Sequence, residues 1–192
     1  MDPAAVTTSP THSDDIRIEL RVIPFAIGER GLVVALAAGP DGAASLPGSA
    51  FSSGRTLGAC AEAVADGALG IRPDYLEQLY TFSRPAPHGE VVVAYFALLS
   101  AASLARVRLS PRVALVDVDA PPTLPEAERR MLDYAILRLR AKLGYSNIGF
   151  HFLPPEFTLS ELQDVYEAAL GRSLDKRNFR RRVLASAIVE PV

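Results

Sequence analysis

The sequence predicts an α+β protein, with a strand-rich first part and a helical second part that ends in a helix-turn-helix. Three observations predict it. Asp15 to Val22 (DIRIELRV) alternates charged and apolar residues strictly, the pattern of a half-buried strand. Val91 to Leu99 is a continuous apolar run, suited to a central strand covered on both faces. After Pro121-Pro122 the apolar period lengthens from two to three and four, at Met131, Leu132, Ala135, Ile136, Leu139 and Leu143.

The elements follow in order. Residues 1–14 are rich in Ser, Thr, Pro and Asp and read as a disordered tail. The strand from Asp15 reaches a turn at Gly28-Glu29-Arg30-Gly31, and Leu32 to Ala38 returns as its hairpin partner. Pro40-Asp41-Gly42 is a further turn. Residues 57–69 (LGACAEAVADGAL) fit an Ala-rich helix, weakened by Gly58 and Gly67. Tyr75 to Phe82 reads as a strand, 83–90 as a loop, and Arg112 to Val118 as a last strand, so this part has one helix. Thr123 and Glu126 have the spacing of a capping box for the long helix, and Gly144 is its natural stop.

A second boundary falls at Pro154-Pro155. Thr158 and Glu161 then form a capping box, with Phe157 placed to staple onto Leu162. Leu162, Val165, Tyr166 and Ala169 mark the buried face of that helix, and Gly171 ends it. Asp175 caps the next helix, which runs to about Ala187. Two short helices across a tight Gly-containing turn make a helix-turn-helix. The domains expected are 15–122, and 123–192 as a linker helix plus a C-terminal domain.

Composition excludes several classes. The 192 residues carry 20 basic and 22 acidic side chains, so the net charge of −2 argues against nucleic-acid binding over the whole surface. The single Cys60 excludes a disulfide framework and a Cys-based zinc site. The three histidines lie far apart, and no metal or cofactor is expected. Glu62 and Asp66, four apart, read as a solvated helix edge. His88 reads as solvated, His151 as a core or interface histidine. No apolar run is long enough to span a membrane, and residues 1–15 lack the features of a signal peptide, so a cytoplasmic location is expected.

The net charge conceals an asymmetry. Arg172 to Arg182 holds six basic residues and one acidic residue, leaving 14 basic against 21 acidic elsewhere. At about 100° per residue, Arg177, Asn178, Arg181 and Arg182 share one face, opposite Phe179, Val183 and Ala187. Arg pairs bidentately with guanine, and Asn with adenine, in the major groove. Lys176, Arg180 and Arg172 flank that face at positions suited to phosphates. Thr158 and Ser160 open the preceding helix, where hydroxyls donate to phosphate. The competing reading is a solvated Arg-rich face. Only Ile188 to Val192 follow, so a wing hairpin would be reduced to its first strand at most.

Several segments resemble the Nudix-related transcriptional regulators, the NrtR family. They are Tyr75 to Phe82 (YLEQLYTF), Ile136 to Leu143 (ILRLRAKL), Tyr145-Ser146-Asn147-Ile148, Leu153 to Gln163 (LPPEFTLSELQ) and Leu174 to Arg181 (LDKRNFRR). The resemblance implies a Nudix-like mixed-sheet sensor domain, a C-terminal winged helix, binding of double-stranded DNA as a homodimer, and a nucleotide or sugar-phosphate effector such as ADP-ribose. It also places the Nudix box. Leu46-Pro47-Gly48 is similar to its opening, Gly54 to its next glycine, and Gly70-Ile71 to its close. A working box sets an Arg-Glu pair and then a Glu-Glu pair on one helix, because clustered carboxylates hold divalent cations beside a pyrophosphate. Those positions are Ala63 and Val64, then Gly67 and Ala68. The expectation is a regulator with no catalytic residues and a dead Nudix-like domain, with Phe82 stacking on a base and Arg84 facing a phosphate. The alternatives are a ligand- or protein-binding paralogue that does not touch DNA and, last, an ADP-ribose pyrophosphatase.

Overall fold

The computed structural model describes residues 16–38, 43–84, 89–186 and 188–190. The expected tail, Asp15, the turn at Pro40-Asp41-Gly42, His88 and Ala187 lie outside the described residues.

Strand β1 (Arg17–Ile27) turns at Gly28–Gly31 into β2 (Leu32–Ala38), with Ile27 opposite Leu32. The Gly28 amide donates to the Gly31 carbonyl at 2.8 Å. Gly31 has φ of 142°, a conformation open to glycine and costly for other residues. Two short strands follow, β3 (Ala44–Ser45) on β2 and β4 (Gly48–Ala50) on β1. Helix α1 (Leu57–Leu69) starts at Thr56, whose hydroxyl accepts from the Ala59 amide, and stops at left-handed Gly70. Strand β5 (Tyr75–Arg84) pairs antiparallel with β6 (Glu90–Leu99), and β6 lies parallel to β1 along ten residue pairs. Helix α2 (Ala101–Val107) leads to β7 (Val113–Asp117), which closes on β2. The mixed sheet has the order β3-β2-β1-β6-β5, with β4 beside β1 and β7 beside β2.

Helices cover both faces of this sheet. Leu20, Val22, Val93 and Tyr95 face α1 and α2. Ile23, Phe25, Phe96 and Leu98 face the later helices in one apolar cluster that continues through Leu132, Leu139, Leu162 and Phe179. These helices are α3 (Glu126–Leu143), α4 (Leu159–Leu170) and α5 (Lys176–Ala185), with a 3-10 turn Ile148–Phe152 between α3 and α4.

The mixed-sheet and helical architecture is as expected, and four details differ. β1 is half-buried only at its start: Val22 to Ala26 are all buried, because helices pack on both faces there. The first part has two helices, since α2 follows Ser100, whose hydroxyl accepts from the Ser103 amide. β5 runs through Arg84 and β6 opens at Glu90, which shortens the expected 83–90 loop. The capping box at Thr123 does not form. Pro125 occupies the N-cap position with no side-chain bond, and Glu126 is the first helical residue rather than the third. The N-cap position falls at Pro125, so Thr123 lies two residues outside it and cannot cap the helix.

Candidate DNA-binding helix and effector cleft

Helices α4 and α5 are built as their cap signals require. The Thr158 hydroxyl accepts from the Glu161 amide at 3.1 Å, and the Glu161 carboxylate accepts from the Thr158 amide at 2.6 Å. The Thr158 amide, and after it the Thr158 hydroxyl, hold the Glu161 carboxyl below its usual range. Phe157 meets Phe150 edge to face, with ring centroids 5.5 Å apart. Gly171 closes α4 in the left-handed conformation. Between the helices, the Glu167 carboxylate accepts from the Leu174 amide at 2.8 Å and from the Gln163 side chain at 2.9 Å, so the turn is pinned to α4. The Asp175 carboxylate then caps α5 by accepting from the Asn178 amide at 2.8 Å.

Only Phe179 and Val183 of α5 are buried, and Phe179 packs edge-on against Tyr166 with centroids 5.3 Å apart. That orientation leaves Lys176, Arg177, Asn178, Arg181 and Arg182 exposed, with Arg172 exposed just before the helix. Arg181 donates to the Asn178 side-chain oxygen at 3.0 Å, which presents the pair as one polar unit. Arg182 leans over the Phe179 ring at 5.8 Å. Arg180 is half-buried and donates to the Ser160 hydroxyl at 3.1 Å, tying α5 to the first turn of α4. Its Nε is buried and has no hydrogen-bond partner. Ser160 and Arg180 are therefore spent partly on holding the two helices together, and Thr158 on capping α4. Ile188 to Glu190 form no regular element. Among the described residues no helix is long and apolar enough to cross a membrane.

A second site opens in the first part of the chain. A cleft of about 540 Å³ is lined by Ser45 to Ser49, Ala37, Arg21, Glu128 and the α1 positions Ala63, Val64, Gly67 and Ala68. All four positions where a Nudix box would place its functional side chains thus face one cavity. None carries an oxygen ligand. Glu62 and Asp66 are exposed and do not line the cleft. Among the described residues no three His, Cys, Asp or Glu side chains cluster as a metal site. The donor set therefore does not fit the divalent cations that Nudix chemistry uses. Gly48 is required by close approach, because a Cβ there would lie 2.7 Å from the Leu20 carbonyl oxygen.

The residue that sequence reasoning missed is Glu128. It is the one charged side chain buried among the described residues. Its carboxylate accepts from the Leu46 amide at 2.7 Å and lies 3.7 Å from the Arg21 guanidinium, which also pairs with Glu19 at 3.0 Å. No local pattern marks it, since it lies 82 residues from its amide partner. Phe82 does not line this cleft; it packs with Tyr80 at 5.3 Å and Tyr134 at 6.2 Å on the sheet edge. Arg84 ends β5, and its side chain lies outside the described residues.

A polar cluster joins β5 to α3. Glu77 accepts from Tyr75 and Lys142, and Tyr75 stacks on His151 with centroids 4.5 Å apart. Burial opposes ionisation of Glu77, yet Lys142 and Tyr75 together hold its carboxyl below the usual range. Burial lowers the His151 pKa from its ordinary 6.5, against the opposing charge of Asp74. The unfolded chain then binds the proton more readily than the folded one. Stability should be full above about pH 6.5, fall as pH drops toward the lower folded value, and level off below it. Urea titrations between pH 5 and 7.5 should show that slope, and His151→Gln should flatten it; an unchanged slope in the variant would assign it elsewhere.

A mixed sheet between two helical layers, joined to a helix-turn-helix, defines a Nudix-fold domain carrying a winged-helix domain. Residues 149–192 match the family model of the NrtR DNA-binding winged helix domain. In this segment and in the matches that follow, the chain is similar to members of the NrtR family. It is 35% identical over 142 residues to the ADPR responsive transcriptional repressor NtrR of Acinetobacter baylyi, an alignment covering 71% of this chain and 57% of that protein. The chain thus spans little more than half the length of this curated relative. The crystal structure of Shewanella oneidensis NrtR complexed with a 27mer DNA superposes with a TM-score of 0.78 at 26% identity, covering 88% of this chain and 83% of that one. The NUDIX domain of the same Shewanella protein, complexed with ADP ribose, superposes with a TM-score of 0.52 at 21% identity over 69% of this chain and 94% of that one, a likeness of fold.

Proposed function

We propose that this chain is a transcriptional regulator that binds double-stranded DNA through α5 and senses a nucleotide or sugar phosphate of the ADP-ribose kind in its Nudix-like domain. The observation that carries this reading is the exposed basic face of α5, mounted on a capped α4 within a segment that matches a DNA-binding winged helix. The DNA complex of the Shewanella relative and the repressor name of the Acinetobacter relative support it. Arg177, Asn178, Arg181 and Arg182 read base edges. Lys176, Arg180 and Arg172 hold phosphates, joined by the hydroxyls of Thr158 and Ser160 at the start of α4. Phe82 and Arg84 contact the effector, with Phe82 offering a stacking face beside the exposed Tyr80. The regulator works in the cytoplasm as a homodimer, whose two α5 helices reach half-sites about one helical turn, 34–36 Å, apart.

Gel shifts with the DNA upstream of its own gene test this. A sequence-specific shift that weakens steeply with salt is expected, because phosphate contacts release counterions. No shift at low salt would sink the reading. The Nudix-like domain is not a hydrolase, because the cleft lacks the carboxylates that would hold its cations. ADP-ribose incubated with magnesium or manganese should release no AMP, and AMP release that depends on this protein would overturn that part.

A further inference from the structure

We propose that a separate cleft, between α5 and the end of α3, binds a small aromatic carboxylate, and that this ligand takes Arg182 away from DNA. The competition with DNA rests on the regulatory reading above; the site itself does not. The cleft has a volume of about 480 Å³, a size suited to a small organic molecule. Leu143, Phe150, Val183 and Ile188 give it apolar walls, and the exposed Tyr145 and Asn147 also line it. Arg182 is the one charged side chain among the described residues around it. Its guanidinium rests on the Phe179 ring, and among the described residues no carboxylate pairs with it. Arg21 in the cleft beside α1 differs in this respect, because Glu19 and Glu128 already hold it.

The lining selects the occupant. One guanidinium with no counter-charge takes one carboxylate, in the bidentate geometry that Arg favours. A pyrophosphate brings more negative charge than a single cation balances, so a ligand of the ADP-ribose kind does not fit here. The apolar walls and the Phe150 and Tyr145 rings suit a flat hydrocarbon body, which gains by leaving water. The Tyr166 hydroxyl donates to the Ser146 carbonyl at 3.3 Å. Burial raises its pKa and the Arg182 charge opposes that, so the guanidinium acts on the inner wall of the cleft. Arg182 is also among the four side chains assigned to base edges. One guanidinium cannot hold a carboxylate and a guanine at once. Occupancy of the cleft therefore competes with DNA at that residue directly, and no helix has to move.

The probe is 2-naphthoate, with 2-naphthamide as its uncharged match, titrated into the full chain and followed by backbone NMR. Shifts are expected at 143–147, 150 and 182–186. The carboxylate should bind about tenfold tighter than the amide, the worth of a charge-assisted hydrogen bond, and Arg182→Gln should bind the two alike. Equal affinity of the wild type for both compounds, or shifts confined to other residues, overturns the site. So does an undiminished 2-naphthoate affinity in Arg182→Gln; if that variant does not fold, the comparison of the two compounds on the wild type still decides. Operator affinity is then measured by fluorescence anisotropy at saturating 2-naphthoate, against the same concentration of sodium acetate. It should fall about tenfold, the loss of one base contact. Tyr145→Ala removes an exposed ring of the cleft that lies outside the DNA-binding face. This variant should bind operator as the wild type does and need several times more 2-naphthoate for the same loss. Operator affinity that holds while the cleft fills overturns the competition. A chain that binds no DNA at all overturns the regulatory reading and the competition together, while the NMR comparison still decides the site.

Discussion

Replacing Arg177 and Arg181 together by alanine is expected to abolish sequence-specific DNA binding while leaving the fold and its melting temperature essentially unchanged. Both side chains are exposed on α5, and neither supports the core. Each bidentate arginine–guanine pair is worth about 1–3 kcal/mol of discrimination, so losing two costs roughly 30-fold to 10⁴-fold in specific affinity. The loss should fall on specific sites far more than on random duplex. Arg172→Ala is the contrast. A phosphate contact carries no sequence information, so this change should weaken binding to all duplexes alike and lower the salt slope by about one. Anisotropy titrations at several salt concentrations, on operator and scrambled DNA, separate the two behaviours. A double variant that keeps operator preference would remove Arg177 and Arg181 from base readout. Because Arg181 already donates to the Asn178 oxygen, removing Arg181 also frees the Asn178 amide to reorient. Non-additivity between Arg181→Ala and Asn178→Ala is expected for that reason.

The second large effect is expected at Phe179→Ala. Phe179 is 3% exposed and, with Val183, is one of two buried residues holding a ten-residue helix. A helix this short is marginal without tertiary packing. Truncating a buried phenylalanine costs about 3–5 kcal/mol, enough to release α5 locally. The Tyr166 ring and the Arg182 guanidinium both lose the surface they rest on. DNA binding should disappear while ADP-ribose binding persists, with hydrogen exchange rising over 176–185 and staying slow over 17–27. The same apolar cluster runs from the sheet to α5. If the chain unfolds as a single unit, exchange will rise equally in β1, and the local account fails.

The two helices that carry these predictions were legible because their signals are local. Thr158 with Glu161, Gly171 and Asp175 each act within four residues, and the structure uses every one. The buried face of α4 followed in the same way from a 3.6-residue period. The box at Thr123 and Glu126 had the same spacing and did not form, because the N-cap falls at Pro125 and Thr123 lies two residues outside it. Pattern without position was not enough there. Helix α2 escaped notice because seven residues with two buried positions carry no readable period. Strands β3 and β4, of two and three residues, exist only through their pairing with β2 and β1.

The sequence by itself determined that the Nudix positions lack their carboxylates, and that the strongest net positive charge falls on one short helix with a single apolar face. Both are properties of residue identity and near spacing. Only the tertiary structure decided what occupies the vacated cleft. Glu128 meets the Leu46 amide and Arg21 because β1, the Leu46 loop and α3 converge around the cleft, with β1 held parallel to β6 at the centre of the sheet. Contacts between residues so far apart in the chain are set by packing two layers against one sheet, and no local period encodes them.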